Sequence, residues 1–240
     1  MKNRELKIFV DFDGTITNQD IGDSIFTKFG DEKKVNPVID DLLNDRISSR
    51  DCWDLLCSST PSINKNELDS FIDSLIIDPT FHSLVEYCKV KKIELIVLSD
   101  GFDYYIERIF NRENLKNLKY YANNLSLDEY GKLIPGYPFY NPEFPTSANC
   151  KRDHILDNSS DDDYTFYIGD GNSDKESAQY CDYIFAKAGL LKFCEKERIS
   201  FSPFNNFHDV IKKIDDLITR KKLRKGHQAE LKRRKAYLVE

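Results

Sequence analysis

The chain has 240 residues, 40% of them hydrophobic, and a net charge of -6, which suits a globular core with room for a smaller appended domain and excludes a disordered chain. No apolar run approaches the roughly 20 residues that span a bilayer, and no signal-like apolar segment opens the sequence, so a cytoplasmic protein without a membrane partner is expected. The six cysteines lack metal-type pairing and the density of a secreted disulfide framework, which predicts reduced thiols.

From the N-terminus, LKIFV (6–10) reads as a strand buried on both faces, followed at once by DFDGTIT (11–17). About eighty residues separate it from the next strand-like run, far more than one crossover helix needs. DIGDSIFTKFG, VNPVIDDLLND, SRDCWDLLCSS and ELDSFIDSLI read there as helices, with N-terminal capping signatures at Ser48–Asp51 and Asn64–Glu67. They predict a helical cap over 18–78. PTFHSLVEYCKVKK (79–92) then serves as the true crossover helix, and IELIVLS (93–99) as the second strand.

YYANNLSLDEYGKLIPGYPFY (120–140) reads as a short antiparallel excursion with its turn at DEYGK, and NPEFPTSAN (141–149) as loop. CKRDHILD opens a further helix, and YTFYIG (164–169) and YIFA (183–186) complete the strand series. Strands alternating with helices predict an α/β fold, a doubly wound parallel sheet with helices on both faces. The core is assigned to 1–17 and 79–215, and 216–240 to a basic C-terminal helix or tail. Residues 220–240 hold nine Lys or Arg against Glu230 and Glu240, a local charge of +7 that leaves -13 for the rest. Such a tail has the charge to meet nucleic acid or an anionic membrane. With only Tyr237 interleaving the charges, a solvated or self-docking tail is favoured and nucleic acid is not.

Three strand-like runs end in polar, glycine-bearing turns, DFDGT, SDGFD and GDGNSD. Ligands of open α/β sheets sit beyond the carboxyl ends of the strands, which makes Asp11, Asp13, Ser99, Asp100, Asp170 and Asp174 candidates for one rim. Residues two apart on a strand share a face, so Asp11 and Asp13 address one volume, and Gly14 lets the chain turn behind them. Crowded carboxylates repel unless a hard cation bridges them, and oxygen ligands of this kind suit Mg²⁺. With Mg²⁺, a strand-end carboxylate suggests phosphoryl chemistry through an aspartyl-phosphate. Ser99 and the amides of Asp100 and Gly101 would donate hydrogen bonds to the phosphate, and Lys151 would supply positive charge.

DFDGTIT, LSDG, Lys151 and GDGNSD, in that order and spacing, resemble the four motifs of the haloacid-dehalogenase (HAD) superfamily phosphatases, over roughly residues 6–215. The resemblance implies a HAD-like Rossmannoid core with a small cap of the phosphoserine-phosphatase-like branch. Asp11 is then the nucleophile and a metal ligand, and Asp13 the general acid/base, with its backbone carbonyl on Mg²⁺. Asp170 becomes a direct metal ligand, Asp174 a second acidic support of the metal site, and Ser99 and Lys151 the phosphate clamp. A closing cap implies a small phosphorylated metabolite as substrate.

Within that branch, DRIS (45–48), YYANNLS (120–126), Cys150 before Lys151 and IFAKAGLLKFCEKE (184–197) resemble the methionine-salvage phosphatases. These act on 2-hydroxy-3-keto-5-methylthiopentenyl-1-phosphate. Phosphoserine, phosphocholine or phosphoethanolamine are alternative substrates, and transfer to an alcohol instead of water is an alternative reaction. A nucleic-acid-binding protein using the tail, with the core as a dimerisation module, is a third class; a homodimer stays open. Ser173 stands where phosphoserine phosphatases usually have Asn. Asp20 occupies the place of a substrate-reading cap glutamate, yet suits a helix N-cap better; Arg46 and Arg50 are candidates for a carboxylate-reading cap arginine. Trp53 is expected in the cap core, and His82, His154, His208 and His227 are expected to be structural or at the surface.

Overall fold

The computed structural model describes residues 4–239. Its elements begin with β1 (Leu6–Asp11), α1 (Ile21–Phe29), α2 (Glu32–Leu43), α3 (Ser49–Ser59), α4 (Lys65–Ser74), α5 (Phe81–Lys91), β2 (Glu94–Phe102) and α6 (Asp103–Arg112). They continue with β3 (Lys119–Leu127), β4 (Leu133–Gly136), α7 (Lys151–Asp157), β5 (Tyr164–Gly169), α8 (Asp174–Ser177), β6 (Tyr183–Ala186), α9 (Ala188–Lys196), β7 (Ser202–Pro203), α10 (Phe207–Thr219) and α11 (His227–Val239). Among the described residues these elements divide into two compact units, one of 4–16, 77–98 and 151–239 and one of 17–76 and 99–150.

In the first unit the continuous apolar runs become parallel strands in the order β2-β1-β5-β6-β7. Ile8, Phe9 and Val10 have no exposed surface, as a central strand covered on both faces requires. Val10 pairs with Val97 on one side and Ile168 on the other, which fixes the strand ends at a common level. The α/β parallel architecture expected from the sequence is the one observed. The two-residue β7 is an addition to it; Ser202 and Pro203 carry no strand signature. Helices α5 and α10 pack through Phe81 and Phe207, whose ring centroids lie 5.1 Å apart. Of the segment 216–240, the described residues to 239 divide between the end of α10 and a separate helix, α11, docked on its own unit, and residue 240 lies outside the described residues.

The second unit gathers α1 to α4, α6 and the antiparallel pair β3–β4. The helix starts follow their capping residues: Ser48 accepts the amide of Asp51, and Asn64 accepts those of Asn66 and Glu67. The excursion turns at DEYGK, where the Asp128 carboxylate accepts the amides of Tyr130 and Lys132. Gly131 has φ +80°, and a Cβ there would stand 2.3 Å from the carbonyl oxygen of Ile63. Trp53 is buried against Phe26 and Phe102, as a core residue.

The sequence places residues 99–150 with the 79–215 core, whereas by packing they group with 17–76. The bonds responsible are long-range: Ile63 N–H to the Gly131 carbonyl (2.8 Å), Ser49 N–H to the Thr146 carbonyl (3.0 Å), and Tyr104 Oη to the Asp69 carboxylate (2.6 Å). Among the described residues, no helix is long and apolar enough to cross a membrane.

Candidate active site

Strand β1 delivers Asp11 into a buried position, 4% exposed, and the chain then turns through Phe12–Ile16. Asp13 is extended (φ -75°, ψ 121°) and half-buried, and Gly14 adopts φ +77°. A Cβ on Gly14 would lie 2.6 Å from Asp170 Oδ2, so both the left-handed turn and the close approach require glycine here. Thr15 donates its hydroxyl to Asp170 Oδ1 at 2.8 Å and so orients that carboxylate.

Strand β5 ends at Gly169, where a Cβ would stand 2.4 Å from Asp174 Oδ2. That oxygen accepts the amides of Asp170 and Gly171, each at 3.0 Å. Asp174 Oδ1 accepts the Tyr167 hydroxyl at 2.6 Å and the Lys151 ammonium at 2.7 Å. With four donors on its two oxygens, Asp174 is committed to holding the GDG turn and Lys151. From the first residue of α7, Lys151 also donates to Asp11 Oδ1 (2.5 Å) and Ser173 Oγ (3.0 Å).

Oxygens of Asp11, Asp170 and Asp174 all lie within 4.8 Å of one another. Burial, and next the charge of Asp174, push the Asp11 carboxyl well above the ordinary carboxylate range despite Lys151. Burial and Asp174 raise Asp170 as well. Burial works against the Lys151 ammonium, but Asp11 and Asp174 outweigh it and keep the group protonated. Three carboxylates therefore face one buried ammonium, and the cluster is short of positive charge. Its donors are all hard oxygens, a set that fits a small divalent cation such as Mg²⁺.

The LSDG motif lies towards the end of β2, with Leu98 in the first unit and Ser99, Asp100 and Gly101 in the second. Ser99 is fully buried; its Oγ accepts the Gly101 amide at 2.9 Å and its carbonyl accepts Asn149 Nδ2 at 2.7 Å. The Asp100 carboxylate takes the Asn149 amide at 2.7 Å, and the Asp100 carbonyl takes Trp53 Nε1 and Asn123 Nδ2. Asp20 is the N-cap of α1, accepting the Asp23 amide at 2.8 Å. Arg46 pairs with Asp40 and Asp41, and Arg50 lies over the rings of Tyr137 and Tyr140.

Asp11, Lys151, Asp170 and Asp174 are thus brought into direct contact or near it in the first unit. Ser99, Asp100, Gly101 and Asp20 belong to the second. Sequence reasoning missed Thr15, Tyr167 and Asn149. Thr15 lies inside DFDGTIT and Asn149 two residues before Lys151, which was the available signal, whereas Tyr167 is indistinguishable in sequence from an ordinary strand aromatic.

The family model described as "Putative Phosphatase" matches residues 6–198. The chain belongs to this family. "Pdp3-interacting factor 1" of Schizosaccharomyces pombe is 30% identical over 224 residues, covering 90% of this chain and 97% of that protein. The 2-hydroxy-3-keto-5-methylthiopentenyl-1-phosphate phosphatase of Bacillus mycoides is 27% identical over 215 residues, covering 89% and 97%. Among solved structures, a phosphoserine phosphatase described as a phospho-aspartyl intermediate analogue superposes with a TM-score of 0.68 at 17% identity, over 88% of this chain and 99% of that one. The chain is therefore a phosphatase by family, and it shares the fold of the phosphoserine phosphatases.

Proposed function

We propose that this HAD phosphatase hydrolyses a small-molecule phosphate monoester, 2-hydroxy-3-keto-5-methylthiopentenyl-1-phosphate, through an aspartyl-phosphate on Asp11. The observation that carries the reading is the buried contact of Asp11 with Lys151 inside a carboxylate cluster deficient in positive charge. The substrate rests on the similarity to the Bacillus enzymes over nearly the whole of both chains.

In the first step a carboxylate oxygen of Asp11 bonds to phosphorus as the bond to the leaving oxygen breaks, and Asp13 protonates that oxygen. In the second, Asp13 takes a proton from water, the water oxygen bonds to phosphorus, and the bond to Asp11 breaks to release inorganic phosphate. Lys151 holds Asp11 in place and offers positive charge to the transferring group. Ser99 and the amides of Asp100 and Gly101 are assigned to the phosphate by their motif. Asp11, Asp170 and the Asp13 carbonyl would hold Mg²⁺, with Asp174 in support; the ion supplies charge neutralisation for a reaction whose uncatalysed rate is among the slowest known.

The test is phosphate release from a panel containing the methionine-salvage ester, phosphoserine, phosphocholine, phosphoethanolamine and an aryl phosphate, with Mg²⁺ and with chelator. Metal-dependent turnover dominated by the salvage ester is expected, and dominance of another ester would replace the substrate. Asp11→Asn should lower turnover by at least about a thousandfold while the protein stays folded. Near-wild-type activity in that variant would overturn the mechanism.

A further inference from the structure

The matched family region ends at residue 198, so α10 and α11 lie beyond it. The basic C-terminal segment is nonetheless fastened down. The Lys225 ammonium reaches the Asp182 carboxylate (3.0 Å) and the Asp163 carbonyl, and the Gly226 amide donates to Asp182 at 2.8 Å. Helix α11 then buries Ala229, Arg233 and Ala236, spaced as one helical face, while Leu231, Arg234 and Lys235 stay exposed.

Arg233, 2% exposed, donates from Nε to the Tyr180 carbonyl (3.0 Å) and from Nη2 to Ser159 Oγ (2.6 Å). These two points sit at the far ends of the two helical runs that begin with site residues. Helix α7 starts at Lys151 and ends at Asp157, two residues before Ser159; α8 starts at Asp174 and continues through the single turn Ala178–Tyr180. A third link joins the runs directly. Arg152, next to Lys151, donates from Nε to the Tyr180 hydroxyl (3.1 Å), and its guanidinium lies 5.3 Å from the ring centroid. Lys232 of α11 approaches the same ring at 5.7 Å.

We propose that α11 is a brace for catalysis and Arg233 a positioning residue. By tying the far ends of α7 and α8 together, Arg233 sets the separation at their near ends, where Lys151 meets Asp174 at 2.7 Å and holds Asp11. Stability alone is a poor account of this arginine. Its Nη1 has no hydrogen-bond partner, and the nearest carboxylate, Asp161, is 3.9 Å away and exposed. A buried guanidinium so incompletely satisfied is expensive, and its removal strands only neutral acceptors, so an apolar replacement of similar length is close to neutral for folding. A small shift in the placement of reacting groups, by contrast, lowers turnover strongly.

The inference rests on the phosphatase reading, and one experiment separates the two. Wild type, Arg233→Met, Arg233→Lys, Ser159→Ala and the outward-facing control Arg234→Met are compared as full-length chains. Three readouts are taken: Mg²⁺-dependent hydrolysis of p-nitrophenyl phosphate, thermal unfolding, and amide hydrogen exchange over α7. For Arg233→Met, kcat should fall about tenfold with KM changed less than about twofold, at a melting temperature that keeps the enzyme folded in the assay. Arg233→Lys should recover part of the loss, Ser159→Ala should lose about two- to threefold, and Arg234→Met should match wild type. Exchange at the start of α7 should speed up in Arg233→Met.

An unchanged kcat in a folded Arg233→Met, or an equal loss in Arg234→Met, overturns the brace. If Arg233→Met does not fold, an unchanged kcat in Ser159→Ala does so instead. Failure of wild type to release phosphate counts against the phosphatase reading; α7 exchange identical in wild type and Arg233→Met would still overturn the brace.

Discussion

At the scale of single residues, the site is a contest between burial and charge that Asp174 settles by accepting four donors. One of these, Tyr167, is fully buried and shares Asp174 Oδ1 with Lys151. Hydrogen bonds to charged groups contribute about 1.5–3 kcal/mol, so Tyr167→Phe should lower kcat about tenfold while altering KM little. Steady-state kinetics on the best ester of the panel checks this, and an unchanged kcat would relegate Tyr167 to packing. The carboxylates and glycines of the site were legible because strand-end Asp and Gly have few reasons to recur together in a core. Tyr167 and Arg233 were not, since one reads as a strand aromatic and the other as part of a charge run. Their roles arise only when residues far apart in sequence meet.

At the scale of elements, the capped helix starts at Ser48 and Asn64 follow from local hydrogen bonding and were readable in advance. What links helix α4 to α6 was not. The Asp69 carboxylate accepts the Tyr104 hydroxyl (2.6 Å) and Lys65 (2.8 Å), and lies 3.2 Å from Arg108 Nη1. Burial raises the pKa of Asp69, but the bonds from Lys65 and Tyr104 and the charge of Arg108 more than offset it, leaving the group below its ordinary value. A depressed carboxylate stabilises the fold above its unfolded pKa, and that contribution vanishes as pH falls through the folded value. Wild type should therefore exceed Asp69→Asn in denaturant stability near neutrality, and the gap should close on acidification through and below about pH 4, the ordinary Asp range. A gap that is constant with pH would assign the difference to shape instead of charge.

At the scale of the whole molecule, the parallel arrangement was readable from continuous apolar runs, whereas the strand order and the allocation of 99–150 were not, because they depend on long-range pairings such as Gly131 with Ile63. Ligand linkage also acts at this scale. A cation that binds only the folded chain raises its stability by RT ln(1 + [L]/Kd), about 1.4 kcal/mol at ten times Kd. Mg²⁺ should thus raise the melting temperature of wild type. Asp170→Asn should abolish the rise and, by removing a buried like charge beside Asp11, leave the metal-free protein at least as stable. A full Mg²⁺-dependent rise in that variant would exclude Asp170 as a ligand.

The register of β1 carries a consequence for how the protein is made. Leu6 pairs with Tyr164, and Lys7 with Glu94, so β1 lies between two strands that both follow it in the chain, the second of them some 150 residues later. At about 5–20 residues per second, a ribosome needs roughly 8–30 s to bridge that interval. Throughout it, the nascent LKIFV has an unfilled edge, the kind of exposed apolar strand that other chains or a chaperone capture first. The strand that positions Asp11, the proposed nucleophile, is thus the one whose native pairing is completed late in translation.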